Sequence, residues 1–362
     1  MCRFLLFPLL ALVGFCDAQK LTSKDFGLAS PRPKYCTSVK DQFMSATCWS
    51  FSSTSLLESE LLKMGKGEVD LSEMFIARYS MKRKIHRHLK LKGSNFFTPG
   101  GQFHDAIWVM KNFGMMPEEA YSGKGQGELR HDHGNLDTLF SWFVKDCLDK
   151  GITELSERQN FLIDSVLDYY LGPVPATFVY KGRTYTPHSF AEQYLGLEPD
   201  DYVEITSYTH HPFYTKFVLE DKYNWTNDEY WNVPLDDFSR ITTAALDNGY
   251  TVGWDGDADD KDFDYTNGLA YISDSIPNKW PVQRQADFEM QTTLLDHMMH
   301  IVGRTKDTKG NNWYYIKNSW GDITNSLGGF LFMREDYFSL RTVAIIVNKA
   351  AIPQDIRKKL GF

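Results

Sequence analysis

Hydrophobic spacing changes character along this chain, and that change limits the folds open to it. Over residues 50–62 the apolar positions Phe51, Leu56, Leu57, Leu61 and Leu62 recur at helical intervals, and Gly65 stops the run. Residues 102–113 repeat the pattern with Phe103, Ala106, Ile107 and Met110, stopped by Gly114. Residues 136–171 read as two amphipathic helices, and residues 235–248 as another. From Tyr250 onward the apolar runs are short and rich in β-formers, at 250–254, 300–302, 313–316, 329–333 and 343–347. Turn residues such as Lys309-Gly310-Asn311-Asn312 and Gly328-Gly329 separate them. A helical front and a β-rich back give an α+β chain of two lobes, with a cleft between them as the natural place for a site.

Composition narrows the function classes. The chain has 362 residues, 42% of them hydrophobic, so a sizeable core is within reach. A net charge of −8 with no Lys/Arg block excludes a nucleic-acid surface. Arg3, the apolar run Phe4 to Phe15 and the small residues before Gln19 read as a secretory signal over residues 1–18. The run is too short to span a bilayer, and no later stretch is apolar enough to do so. The expected location is therefore periplasmic or extracellular, with acylation at Cys16 as the lesser alternative. Removing Cys2 and Cys16 with the signal leaves Cys36, Cys48 and Cys147, an odd number and too few for a disulfide-built fold. Cys36 and Cys147 either pair or remain buried thiols.

Cys48 stands at the mouth of the first expected helix, after Gln42-Phe-Met-Ser45-Ala-Thr47. A helix N-terminus favours a thiolate, which is the nucleophilic form. A backbone N–H there and the Gln42 amide together could hold an oxyanion. Such a thiol needs an imidazole partner. Of ten histidines, His86, His88, His131 and His133 lie in charged stretches and read as surface residues, and His210-His211 lead into a turn at Pro212. His297 and His300 open a β-rich run and are the candidates. Asn318, in Ile316-Lys-Asn-Ser-Trp320-Gly321, carries an amide oxygen suited to orienting an imidazole.

In this order the segments Gln42-x₅-Cys48-Trp49-Ser-Phe, Asp296-His297-Met-Met-His300-Ile-Val-Gly303 and Ile316-Lys-Asn318-Ser-Trp320-Gly resemble papain-like cysteine peptidases. Ser45, where many secreted members have a cysteine, points to the bleomycin hydrolase and aminopeptidase C branch. The resemblance implies a papain-like two-lobe fold with a barrel-like β-rich lobe. It implies peptide substrates, and Cys48 as nucleophile with a low thiol pKa. His297 would be the base, Asn318 its orienter and Gln42 the oxyanion donor, with no cofactor or metal. Gly303 placed on the family's terminal glycine selects His297 over His300. Pro99-Gly100-Gly101 resembles the glycine pair bordering the substrate cleft, so Gly100, Gly101, Trp49 and Trp320 are expected to bind substrate. Leu71-Ser-Glu73 matches another family element.

The expected organisation is a helical lobe with the nucleophile at 19–125, a partly helical insertion at 126–234 and a β-rich lobe at 235–362. In the resembling branch a C-terminal arm carries its terminal carboxylate into the cleft to hold the substrate's amine, and six copies form a ring. Here the arm reads as truncated after Lys349-Ala-Ala-Ile-Pro-Gln-Asp355. Aminopeptidase action is expected ahead of endopeptidase action, and homo-oligomerisation is left open. A non-catalytic peptide-binding protein on the same scaffold is the rival reading. The acidic run Asp255–Asp262 lacks the glycine and glutamate of a calcium loop, and no zinc motif occurs. Asn224-Trp-Thr226 spells a glycosylation sequon.

Overall fold

The computed structural model describes residues 21–125, 127–273 and 275–362; the expected signal at 1–18 falls outside them. The front of the molecule is built from α1 (Cys48–Lys63), α2 (Glu73–Lys90), α3 (Phe103–Phe113), α4 (Gly134–Asp149) and α5 (Glu157–Leu171). Leu57, Leu61, Phe75, Ile85 and Val109 are wholly buried where these helices meet. Each such side chain contributes about 1.5–3 kcal/mol relative to exposure.

The central helix, α1, is rich in small polar residues, which looks wrong for a core position. Ser50, Ser52, Ser53, Thr54 and Ser55 are buried nonetheless. Their hydroxyls are bonded: Ser52 to the Met299 carbonyl at 2.6 Å and Ser50 to the Glu73 carbonyl at 2.8 Å. Short bonded hydroxyls let α1 lie close against the back lobe at these positions; Ser59, further along, keeps a buried hydroxyl without a partner among the described residues.

Helix α2 was not expected, because its sequence is crowded with charge. Ser72 caps it, accepting from the Phe75 N–H at 3.1 Å, and Glu73 in the first turn suits the helix dipole. Its basic residues turn inward to partners, Arg78 to Asp168 at 2.6 Å and Lys84 to backbone carbonyls. Charge there does not mark a solvated face.

A hairpin follows, β1 (Phe178–Tyr180) and β2 (Arg183–Tyr185), then the single turn α6 (Pro187–Ser189) running into a wider turn over Phe190–Leu195. The back lobe contains β3 (Tyr202–Thr206), β4 (Lys216–Val218), β5 (Glu229–Asn232), α7 (Leu235–Asp247), β6 (Val252–Gly256), β7 (Phe263–Asp264) and β8 (Leu269–Ala270). Then come α8 (Trp280–Glu289), β9 (His297–Lys306), β10 (Asn312–Lys317), β11 (Phe330–Arg334), α9 (Glu335–Arg341), β12 (Thr342–Asn348) and α10 (Gln354–Leu360). Ten strands form one sheet in the order β4-β5-β3-β12-β6-β9-β10-β11-β8-β7. Residues 202–232 thus extend the β-rich lobe rather than standing apart from it. Trp254, Met299, Ile345 and Phe338 form its buried core with α7 and α10.

Helix α10 buries Ile356 and Leu360 in that core, and Phe362 sets its ring against Trp231 with centroids 5.3 Å apart. Among the described residues, none of 354–362 lines the cavity beside His297. Cys36, Cys48 and Cys147 are all free thiols.

Candidate active site

Chain geometry brings the sequence candidates to one place. Cys48 is the first residue of α1, His297 the first of β9, and Asn318 follows the last residue of β10. Strands β9 and β10 pair side by side, with Ile316 opposite Ile301 and Lys317 opposite His300, so their ends carry the histidine and the asparagine to the same edge. The Met298 backbone engages the Cys48 thiol, which ties the start of β9 to the start of α1.

His297 Nε2 lies 2.7 Å from Asn318 Oδ1, and that oxygen also accepts the Ser319 N–H at 2.8 Å. An amide oxygen can only accept, so the imidazole carries its proton on Nε2 and leaves the Nδ1 lone pair available. Trp320 covers the ring, with centroids 4.6 Å apart and planes 30° off parallel, and Tyr265 braces Trp320 edge-on at 4.6 Å. His300 is different. It is buried inside β9, where Nδ1 meets the Ser55 hydroxyl at 2.8 Å.

Gln42 is held from both ends. Its N–H donates to the Ser319 carbonyl at 2.8 Å, and its side-chain Oε1 accepts from the Ser319 hydroxyl at 2.7 Å. With the amide oxygen occupied, the NH₂ end is left as a donor. Asp41 bridges to Trp320 in the same short pairing, so one loop fixes Gln42 and the indole together.

Burial pushes the Cys48 thiol up to about 12, and the carboxylates of Asp255 and Asp296 add to the effect against backbone N–H groups of Met298 and Trp49. Burial pushes His297 down to about 4, opposed by the Asn318 bond. Burial thus works against the low thiol pKa expected from helix and imidazole, and neither group gains a charge readily by itself. One proton transfer creates both charges together, and their attraction offsets the desolvation each would meet separately.

Gly100 and Gly101 form a turn beside α3 that no side chain could occupy. A Cβ on Gly101 would sit 2.9 Å from the Trp49 indole, and one on Gly100 would sit 2.9 Å from the Tyr223 ring. Trp49 is 1% exposed and donates its Nε1–H to the Pro99 carbonyl at 3.1 Å. It therefore supports the glycine turn from beneath, a correction to its expected place on the cleft surface. Lys84 on α2 was missed by sequence reasoning. Its ammonium donates to the Thr98 carbonyl at 3.0 Å, the Pro99 carbonyl at 3.2 Å and the Gly100 carbonyl, and burial pushes its pKa down to about 8. Nothing in the local sequence marks that lysine as a turn clamp.

Other histidine readings are also revised. His88, His131 and His133 are buried, and burial pushes His131 down to about 3 and His133 to about 4. His210, His211 and Glu220 come within ligand range of one another. They satisfy one another without an ion: His210 Nδ1 takes the Gln285 amide N–H at 2.9 Å, and both Nε2 atoms reach Glu220, at 3.2 and 2.7 Å. The sequon asparagine, Asn224, is 2% exposed with its Nδ2 donating to the Leu219 and Asp228 carbonyls, so it is not a surface acceptor.

A cavity of about 430 Å³ opens beside His297 and Trp320, walled by Asp296 on one side and the 220–223 loop on the other. An α+β frame presenting a thiol, an oriented imidazole and an amide at a cleft is that of a thiol peptidase. Residues 177–361 match the Peptidase C1-like family, and the chain belongs to that family. It is 23% identical over 370 residues to Aminopeptidase C of Lactobacillus delbrueckii subsp. lactis, covering 89% of this chain and 81% of that protein. It is 20% identical over 378 residues to Bleomycin hydrolase of Mus musculus, covering 88% and 81% respectively. In fold it is similar to the crystal structure of pepw from Lactobacillus rhamnosis, with a TM-score of 0.72, 16% identity, and 94% of this chain and 86% of that one covered. These similarities lie in the aminopeptidase C and bleomycin hydrolase branch of papain-like peptidases, and the two-lobe α+β fold is theirs.

Proposed function

We propose that this chain is a cysteine aminopeptidase in which Cys48 attacks the peptide carbonyl, His297 moves the proton, and Asn318 holds the imidazole. The observation that carries the reading is the 2.7 Å contact from His297 Nε2 to Asn318 Oδ1, which leaves Nδ1 as the base. As Sγ bonds to the carbonyl carbon, its proton passes to Nδ1. The oxyanion is met by the Cys48 backbone N–H and the free NH₂ of Gln42. The imidazolium then protonates the leaving amine, the C–N bond breaks, and an acyl-thioester remains. Water, deprotonated by the same Nδ1, hydrolyses it and restores the thiol. Trp320 over the imidazole keeps bulk water from the Asn318 bond. Gly100 and Gly101 offer the substrate a backbone edge to pair with.

Aminopeptidase action is supported by the relatives, which are aminopeptidases, Aminopeptidase C among them. Export is supported by the sequence pattern of Arg3 and Phe4 to Phe15 alone. Peptides are the partners, and assembly into homo-oligomers is open to a sedimentation measurement. The test is to compare a free-amine fluorogenic dipeptide with its N-acetylated counterpart. Faster turnover of the free amine supports the proposal, and preference for the blocked peptide makes the chain an endopeptidase. Absence of turnover on both, in a folded protein, favours the non-catalytic binding protein.

A further inference from the structure

Asp255 is a buried carboxyl without a partner. It lies on β6 opposite Met298 of β9, is 0% exposed, and among the described residues neither of its oxygens has a hydrogen-bond partner. The groups whose charge it meets are the carboxylates of Asp221, Glu204 and Asp296, so no cation offsets it. A buried carboxylate without a partner is strongly disfavoured when ionised, and burial holds Asp255 well above the usual carboxylate range. Its field also reaches the Cys48 thiol, which places it just behind the reacting centre.

Two of those neighbours line the cavity beside His297, Asp221 and Asp296. Among the described residues the Asp221 carboxylate accepts only the Tyr223 N–H, at 2.7 Å, and burial pushes it up to about 6 against the pull of that bond and of Lys222. Glu220, beside it, is already engaged by His210 and His211. The loop carrying Asp221 is anchored: Trp225 donates its indole N–H to Asp105 at 2.8 Å, and Arg87 donates to the Trp225 carbonyl at 2.9 Å. Tyr223 lays its ring against Gly100. The loop therefore stands across the glycine turn along which a substrate main chain would run, and it leaves a pocket between itself and His297.

A cavity in which Asp221, Asp259 and Asp296 outnumber Lys222 is complementary to a cation of the substrate. We propose that Asp221 receives the ammonium group of the substrate and so sets which peptides are cut. The 220–223 loop limits how far the substrate extends past the reacting centre, and an α-ammonium at that point would pair with Asp221. This rests on the peptidase reading above. It gives the role of amine receptor to an internal loop, because residues 354–362 pack on the back lobe instead.

The test uses the full chain and three fluorogenic dipeptide amides: Ala-Ala, N-acetyl-Ala-Ala and N-acetyl-Lys-Ala. The wild type should favour Ala-Ala over N-acetyl-Ala-Ala. In Asp221→Asn the ratio of the two kcat/KM values should fall at least tenfold, mainly through KM of the free amine. Asp255→Asn should leave the ratio within twofold, because burial keeps that carboxyl uncharged and it does not line the cavity. That contrast separates an amine contact at Asp221 from a general effect of altering a carboxyl near the site. Loss of N-acetyl-Lys-Ala turnover in Asp221→Asn would show that a lysine ammonium is read as well as the α-amine. A ratio unchanged within twofold in folded Asp221→Asn, or one that falls as far in Asp255→Asn, overturns the inference while leaving the peptidase reading intact. A wild type inactive on all three peptides overturns both.

Discussion

Lys40 offers the sharpest energetic prediction. It stands two residues before Gln42, and its ammonium lies 2.9 Å from Glu58 of α1 and 2.6 Å from Glu73 of α2. The side chains of Glu58 and Glu73 are 0% and 2% exposed. Glu58 also accepts from Thr37 and the Leu71 N–H, and Glu73 from Thr54, so the network joins the segment before the nucleophile to two helices. Lys40→Met keeps most of the stem and removes the charge. Two buried carboxylates then lose their directly bonded cation, with Lys317 reaching Glu58 only through the Thr37 hydroxyl. Breaking one buried pair costs about 3–5 kcal/mol, a large share of a typical domain stability of about 5–15 kcal/mol. The loss should depend on pH. Burial raises the Glu73 pKa already, against the opposing pull of Lys40. Without Lys40 the folded-state value climbs further above the unfolded one, so the folded protein gains a proton first as pH falls. Stability missing at pH 8 should therefore return in part as pH drops through that raised value. Urea unfolding of both proteins at pH 8 and pH 5 measures it. A loss below about 1 kcal/mol at pH 8, or a loss equal at both pH values, would refute the reasoning.

Further outcomes follow from the site. His297→Ala should lose kcat by several orders of magnitude and Asn318→Ala by less, while folded His300→Ala keeps most activity; the reverse order of the two histidines would mean the β9 register is wrong. His133 and His131 are neutral in the fold, so the unfolded chain takes up protons first below about pH 6.5, and stability should fall from there toward pH 4. For His133 a drop from 6.5 to about 4 amounts to roughly 3 kcal/mol at full protonation, and His133→Phe should flatten that slope in a melting series. Gly101→Ala drives a methyl into Trp49 and should cost about 1–3 kcal/mol of stability together with activity, read by melting and by kcat/KM.

Much of the site was legible because its parts are spelled in short contiguous segments. Gln42, Cys48, His297 and Asn318 each sit in one, and helix and strand periodicity put them on the elements found. What failed was the link between charge and exposure. Helix α2 looked solvated, yet Arg78 and Lys84 carry their charges to internal partners. The buried histidines were misread for the same reason. Asp255 was read as the start of an acidic run, but it is the next-to-last residue of β6, a strand buried throughout, where its carboxyl has no partner among the described residues. Residues 202–232 gave little β signal, since β4 and β5 are only three and four residues long and gain their stability from a sheet already formed.

The central claim is that Cys48 is the nucleophile. Its most direct measurement is mass-spectrometric mapping of the protein during inactivation by an electrophilic peptide. One adduct should form, on Cys48 and not on Cys36 or Cys147, in step with the loss of hydrolysis and slowed by excess substrate. Undiminished hydrolysis by protein fully modified at Cys48, or by a folded Cys48→Ala variant, would contradict it.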